Sequence, residues 1–436
     1  MGKLAINGGE KTVADGLQTL WPLITDDDKK IVMECLDSQI LTGPYSPQIR
    51  GAEKEFAAFV GVKYCLMTNS GTSALHIAIA AAGIGPGDEV IVPSFTFLAS
   101  ALGVLHHNAV PVFVDIDPVT FNIDPAKIEA KITPRTKAII PVHLHGLCAD
   151  MDPILAIAKK HNLLVIEDCA QAHGATYKGR NAGSMGDAAL FSVQASKNLP
   201  CGEGGFMATN SDSLAAGADS VRLFGQDCSF DDEKLIDMRT PLDRNRGFES
   251  ITMGWQYMAG EMPAALTRTQ LRRLPANNAN SARNGSFLSK SLDGLKGLAV
   301  PAVPEGRTHI YHKYRLRLDP KAAGIDAAPT AFRDRVLAAI QAEGVESCLW
   351  EKKPVPAQKN FADHVGYGKN CPWACPLRSE PAPLTSPADY ANAQALLDSS
   401  LVIGSHSFPV ICQKLELIEQ YAAAIRKVFE NLPELF

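Results

Sequence analysis

Between Val62 and about Asn210, short runs of apolar and β-branched residues alternate with longer stretches of helical period. Tyr64-Cys-Leu-Met-Thr68, Glu89-Val-Ile-Val92, Pro111-Val-Phe-Val114, Ala138-Ile-Ile-Pro-Val142 and Leu163-Leu-Val-Ile-Glu167 each read as a strand. Ala188 to Val193 and Phe206 to Thr209 add two more. Helical pattern fills the gaps at Ser73 to Ala82, Leu98 to His107, Pro125 to Ala130 and Pro153 to His161. Uninterrupted apolar strands separated by helices predict a mostly parallel sheet covered on both faces, an α/β catalytic domain.

The flanks read differently. Residues 1–50 form a loop-rich entry with a short helix from Asp26 to Asp37 and a Thr-Gly-Pro turn at 42–44. Gln226 to Glu249 is polar and aperiodic, a long excursion of the kind that lines sites. Helical pattern returns at Glu261 to Arg273. Beyond it, a strand at Tyr311 to Leu318 mixes with helices at Thr330 to Gln341 and Glu416 to Asn431. Lys352 to Leu384, rich in Pro and Lys, reads as irregular. The expected division is an N-terminal arm and large catalytic domain over 1–280, then a small α+β domain over 281–436.

Composition narrows the function classes. With 436 residues, 46% hydrophobic and 20% charged, the chain suits a globular enzyme. A net charge of −5 gives no electrostatic case for a nucleic acid or anionic membrane partner. The apolar stretch Leu75 to Ile84 contains His76 and is too short to span a bilayer. Met1-Gly-Lys-Leu-Ala-Ile-Asn-Gly-Gly9 has no apolar leader core. Ten cysteines are scattered, several in apolar runs (Cys65, Cys169, Cys412), which suits reduced thiols and a cytoplasmic location.

The candidate chemistry centres on Leu190-Phe-Ser-Val-Gln-Ala-Ser-Lys-Asn-Leu-Pro-Cys-Gly-Glu-Gly-Gly205. It places Lys197 in a polar turn between two apolar strands, where an ammonium is costly unless it reacts or pairs. A desolvated lysine has its pKa pulled down and attacks carbonyls to form a Schiff base. In a parallel α/β sheet, ligands gather at the carboxyl ends of strands. Asn69-Ser-Gly-Thr-Ser73 falls there, giving Gly71, Thr72 and Ser73 at a helix start suited to phosphate. Asp168 ends one strand, Phe97 follows another, and Ser192 adds a hydroxyl near the lysine. Each is common alone. Together they supply a phosphate cradle, a stacking ring, an acid for a ring nitrogen and an amine for an aldehyde. Pyridoxal 5′-phosphate has those four handles.

The chain resembles the sugar aminotransferases of the DegT/DnrJ/EryC1/StrS group, of fold-type I pyridoxal-phosphate architecture, over most of residues 1–275. The resemblance rests on Leu41-Thr-Gly-Pro44, Asn69-Ser-Gly-Thr-Ser-Ala-Leu75, Gly85-Pro-Gly-Asp-Glu-Val-Ile-Val-Pro93, Phe113-Val-Asp-Ile-Asp117, Glu167-Asp-Cys-Ala-Gln-Ala-His-Gly174 and Phe191-Ser…Ser-Lys-Asn198, in that order. It implies Lys197 as the Schiff-base lysine and Asp168 as partner of the pyridine nitrogen. It further implies Gln171 against the ring near O3′, Phe97 stacking, and Ser192 with Gly71, Thr72 and Ser73 on the phosphate. Leu4-Ala-Ile-Asn-Gly-Gly9 and the Gly-Glu-Gly-Gly after the lysine look most like the keto-cyclitol branch, with its scyllo-inosose aminotransferases and aminohydroxybenzoate synthases. The implied reaction moves an amino group from glutamate or glutamine to a keto-sugar, keto-cyclitol or similar polyhydroxy ketone, in a homodimer with shared sites. Gly254-Trp-Gln-Tyr-Met-Ala-Gly-Glu261 departs from the family's Gly-x-Asn-Tyr-Arg-Met, so Gln256 takes the place of an asparagine that reaches the neighbouring subunit's phosphate. Dehydration or elimination on the same site, and a non-enzymatic cofactor-binding regulator, are the alternatives.

Three other patterns read as structural. Gly83-Ile-Gly-Pro-Gly87 follows a helix and precedes a strand, the reverse of a dinucleotide loop. His143-Leu-His145 lacks a third ligand for metal, and Cys371-Pro-Trp-Ala-Cys375 lacks a second pair. No metal is expected.

Overall fold

The computed structural model describes residues 3–43, 46–226, 249–378, 382 and 385–436. The expected excursion at 226–249 and the Pro44 end of the Thr-Gly-Pro turn lie outside these, save Gln226 and Glu249.

Two helices precede the sheet, α1 (Asp26–Ser38) and α2 (Pro47–Val60). The next segments are β1 (Tyr64–Thr68), α3 (Gly71–Ala81), β2 (Glu89–Pro93), α4 (Ala99–His106), β3 (Val110–Val114) and β4 (Thr136–Ile139). After α5 (Met151–His161) come β5 (Leu164–Asp168) and a small ribbon, β6 (Thr176–Tyr177) with β7 (Arg180–Asn181). β8 (Ala188–Ser192), β9 (Gly205–Thr209) and α6 (Asp212–Arg222) complete the layer. The strands lie in the order β1-β9-β8-β5-β4-β2-β3, with only β9 antiparallel to its neighbours. The expected mostly parallel sheet is therefore present, and its strand runs fall on the predicted segments. Pro125–Lys127 and Glu129–Lys131 form two 3-10 turns where a helix was expected.

Alternate strand positions serve opposite faces, as a pleated strand requires. Leu66, Val90, Ile166 and Leu190 pack toward α3, α4 and α6, whereas Met67, Ile91, Val165 and Phe191 pack toward α2 and α5. Helix α2 was not expected. A buried network explains how it seats: Arg222 donates to Glu53 (2.6 Å), to Asp219 (2.6 Å) and to the Met67 carbonyl (2.7 Å). One guanidinium thus ties α2, β1 and α6 together.

Helix α7 runs from Glu261 to Leu292, through Pro275 and past the 280/281 division expected from sequence. Gly285 on this helix lets Tyr311 pack against it; a Cβ there would meet the ring at 2.4 Å. Beyond α7, a second sheet has the order β10-β11-β13-β12, formed by β10 (Leu298–Ala299), β11 (Tyr314–Leu318), β12 (Ser347–Cys348) and β13 (Ser400–Ile403). Helices α8 (Pro329–Ala342) and α11 (Leu415–Glu430) cover it. Leu4 and Val13 of the N-terminal arm are buried in this core rather than in the large one. Glu343 holds the arm there, accepting from the amides of Ala5 (2.8 Å) and Thr12 (3.0 Å) and from Lys427 (2.9 Å).

The Pro/Lys-rich stretch is irregular as expected, with one short helix, α9 (Lys359–Ala362), ahead of α10 (Ala391–Asp398). It returns to the large sheet, where Val355, Phe361 and Trp373 join the core and Arg378 pairs with Glu89 at 2.7 Å. No helix of the described residues is long and apolar enough to cross a membrane.

Removing Arg222 would strand two carboxylates in the core. Arg222→Met is expected to destabilise the protein by about 3–5 kcal/mol, read as an earlier urea midpoint; an unchanged midpoint would show that the network carries little.

Candidate active site

The parallel sheet delivers several chain segments to one edge, and a cavity of about 390 Å³ opens there. Gly71, Thr72, Phe97, Asp168, Gln171, Ser192 and Lys197 all line it. Seven of the nine residues expected from sequence are thereby brought together.

Asp168 closes β5 with a carboxyl that is only 7% exposed. Its Oδ2 accepts from Ser100 Oγ (2.7 Å) and its Oδ1 from the Ala170 amide (3.1 Å), with no cation in ion-pair range among the described residues. Burial therefore pushes its pKa up, against the opposing pull of those two donors. Lys197 sits in the turn that leaves β8, the next strand of the sheet. Burial pulls its pKa down, outweighing the opposite effect of Asp168 and Glu203. The turn itself is fixed: Ala195 N donates to Gly202 O (2.8 Å), and the Trp21 indole of the arm donates to the Lys197 carbonyl (3.2 Å). Gly202 has φ +98°, a left-handed conformation open to glycine.

The start of α3 forms the opposite wall. Ser70 caps the helix, accepting from the Ser73 amide (3.0 Å). The amides of Gly71 and Thr72 donate to no protein acceptor among the described residues, leaving two N–H groups and the helix dipole turned to the cavity edge. Backbone approaches are close here. A Cβ on Gly205 would lie 2.5 Å from the Gly71 nitrogen, and one on Gly71 would lie 2.7 Å from the Ser192 Cβ. Gln171 spends its Oε1 on the His145 amide (2.9 Å), while its Nε2 donates to no protein atom.

Two expected residues sit elsewhere. Ser73 turns away, its hydroxyl donating to Asn69 Oδ1 (2.6 Å) because the helix cap occupies its amide. Gln256 is exposed and bridges to Leu223, the residue after α6, outside the cavity of its own chain. Conversely, sequence reading missed Ser100, His312, Lys313, Trp350 and His406 on the cavity wall. Ser100 lies one turn past Phe97, a spacing that could have flagged it; the others come from the small domain and carry no local signal.

His143-Leu-His145 forms a tight turn with His145 at φ +58°, not one face of a strand. His143, Glu167 and Cys169 bring ligand atoms within 4.8 Å of one another. Hydrogen bonds already occupy this cluster: His143 Nε2 donates to Glu167 (2.8 Å), and Glu167 also accepts from the amides of Gly183, Met185 and Gly186. Nine cysteines among the described residues are free.

Comparison with known proteins places these features in context. The model of the DegT/DnrJ/EryC1/StrS aminotransferase family matches residues 22–392. The GDP-perosamine synthase of Caulobacter vibrioides is 42% identical over 75% of this chain and 82% of its own. The L-glutamine:scyllo-inosose aminotransferase of Streptomyces griseus is 33% identical over 99% of both chains. The X-ray structure of an aminotransferase from Psychrobacter cryohalolentis superposes with a TM-score of 0.81 at 32% identity, covering 95% of this chain and all of that one.

The raised Asp168 pKa has a measurable sign. A carboxyl whose folded pKa lies above its unfolded 3.8 stabilises the fold below that value and loses that contribution as pH rises through the folded value. In cofactor-free protein, Asp168→Asn should therefore gain thermal stability over the parent at about pH 8 and less at about pH 4.5. An equal gap in melting temperature at both would refute the unpaired-carboxylate description.

Proposed function

The chain belongs to the DegT/DnrJ/EryC1/StrS aminotransferase family, and on that premise we propose that it transfers an amino group from glutamine or glutamate to the carbonyl of a keto-sugar or keto-cyclitol. Family members are pyridoxal-phosphate enzymes, with both cofactor forms represented among solved relatives. The observation that carries the reading is a buried, cation-free carboxylate and a desolvated amine on neighbouring strands of one cavity. The full-length similarity to a glutamine:scyllo-inosose aminotransferase supports the cyclitol side of the acceptor class.

The residues fit the cofactor. The unspent amides of Gly71 and Thr72, with the Ser192 hydroxyl, would hold the phosphate, and the close backbone contacts at Gly71 and Gly205 leave room for nothing larger than glycine. Gln171 would donate its free Nε2 to the ring hydroxyl, and Phe97 would cover a ring face. Bound, the pyridine ring supplies an electron sink for the charge left when a substrate Cα–H is lost. Asp168 would keep a proton on the ring nitrogen, and that partner would relieve its own burial. Ser100 aims the carboxylate. Lys197, with its pKa pulled down, spends more time as free amine at neutral pH, and would take the Cα proton and return it.

A homodimer completes the reading. Phe97 is 49% exposed at the cavity mouth, and Ile251 and Met253, beside Gln256, are 62% and 82% exposed. Exposed apolar side chains of this size suit burial by a second copy. Gln256 would then reach the partner's phosphate.

Two measurements bear on this. Lys197→Ala protein is expected to hold no covalently linked cofactor and to lose repeated turnover with glutamine or glutamate; wild-type rates would sink the lysine's role. Sedimentation equilibrium should return twice the 46.8 kDa chain mass; a monomer would remove the shared site.

A further inference from the structure

Lys313 is a buried cation with no ion-pair partner among the described residues. It lines the cavity from the segment leading into β11 and is 7% exposed. Among the described residues its ammonium makes no ion pair and no hydrogen bond; it lies over the Trp350 ring, 5.4 Å from the centroid. A buried lysine with three unspent donors is costly unless a ligand supplies the counter-charge.

Its neighbours supply none. Arg315, two residues on and fully buried, spends its guanidinium on neutral acceptors: His145 Nε2 (3.0 Å), Ser400 Oγ (2.6 Å) and the Trp350 carbonyl (2.8 Å). Those bonds fix the Trp350 wall against which Lys313 lies. His312 is held by Asn198 (3.0 Å), the residue after Lys197. Glu351 is the carboxylate whose charge acts on Lys313, and the two form no ion pair among the described residues. Of the small-domain residues that line the cavity, His312, Lys313, Trp350 and His406, none is a carboxylate and Lys313 carries the charge.

Resting on the transamination reading, the reactants leave one anion unassigned. The cofactor's phosphate falls to the start of α3 and Ser192, and its ring nitrogen to Asp168. A keto-cyclitol or free keto-sugar is neutral, and a nucleotide-linked one carries its charge on the diphosphate, away from the reacting carbonyl. Every α-amino acid donor, however, brings a carboxylate next to the reacting Cα. We infer that Lys313 binds the α-carboxylate of the amino donor, orienting its amino group toward the Lys197 end of the cavity.

The test uses the cofactor-loaded enzyme and the donor half-reaction alone, followed by cofactor absorbance against glutamine and, separately, glutamate. Lys313→Gln should raise the half-saturating concentration of both donors roughly 10- to 100-fold, the worth of one charge-assisted hydrogen bond. Lys313→Arg should recover part of the loss. Binding of L-2-methylglutamate, which has no α-hydrogen to lose, should weaken by a similar factor, giving a readout apart from turnover. Unchanged cofactor content and melting temperature in the variant would exclude misfolding as the cause. Unaltered donor saturation in Lys313→Gln overturns the assignment while leaving transamination standing. Loss with glutamate only would assign the lysine to the side-chain carboxylate instead, and loss confined to the keto acceptor would assign it to that substrate; either overturns the proposal. Failure of the wild type to convert with either donor would overturn the transamination reading itself.

Discussion

A buried carboxylate and a half-buried amine, neither of them ion-paired among the described residues, sit beyond the carboxyl ends of adjacent parallel strands, and the rest of the structure has to sustain that arrangement. Burial works against the charge of both groups, raising the pKa of the acid and lowering that of the base. Such a pair persists only where surrounding structure fixes it and a ligand later compensates it. The contrast with Glu167 makes the point. One residue earlier on β5, its side chain faces the other way and accepts four hydrogen bonds, from His143 and three backbone amides. Neighbouring acids on one strand thus divide between a fully satisfied anchor and an under-satisfied group facing the cavity.

The same logic governs the backbone around the cavity. The first turn of α3, the entry to β9 and the exit from β8 approach so closely that glycine is required at both 71 and 205. This side of the cavity is consequently lined by peptide amides and short hydroxyls rather than long flexible side chains. Little rotational freedom is lost when a ligand arrives, which favours a rigid, pre-formed site.

How much of this was legible in the sequence followed contact range. The strands and the residues at their ends were readable because a parallel sheet maps local pattern directly onto position. Helix α2 was missed although its signals were present: Pro47 at the first turn, apolar Ile49, Ala52, Phe56 and Val60 at helical spacing. The expected helical stretch from Glu261 ended at Arg273, short of Pro275; in the fold the helix continues to Leu292, packed on both cores. Ser73 was assigned by its motif, but its hydroxyl is taken by Asn69, a competition among neighbouring polar groups that no spacing rule resolves. Lys313, Trp350 and His406 belong to the cavity only because the small domain docks there. Nothing local in Tyr311-His-Lys-Tyr314 announces it.

The arm held by Glu343 has a consequence for synthesis. Leu4 and Val13 find their apolar partners in a core built from residues beyond Leu288, and Asn7 bonds to Glu434 near the other terminus. During vectorial translation these residues have no native partner until the segments from Leu288 onward, made long after them, have emerged from the ribosome. The large sheet can form in the meantime, but Trp21, the arm residue that braces the Lys197 turn, also donates its amide to Ser407. The Lys197 turn therefore gains its settled brace only once a segment made long after it has folded back onto the arm.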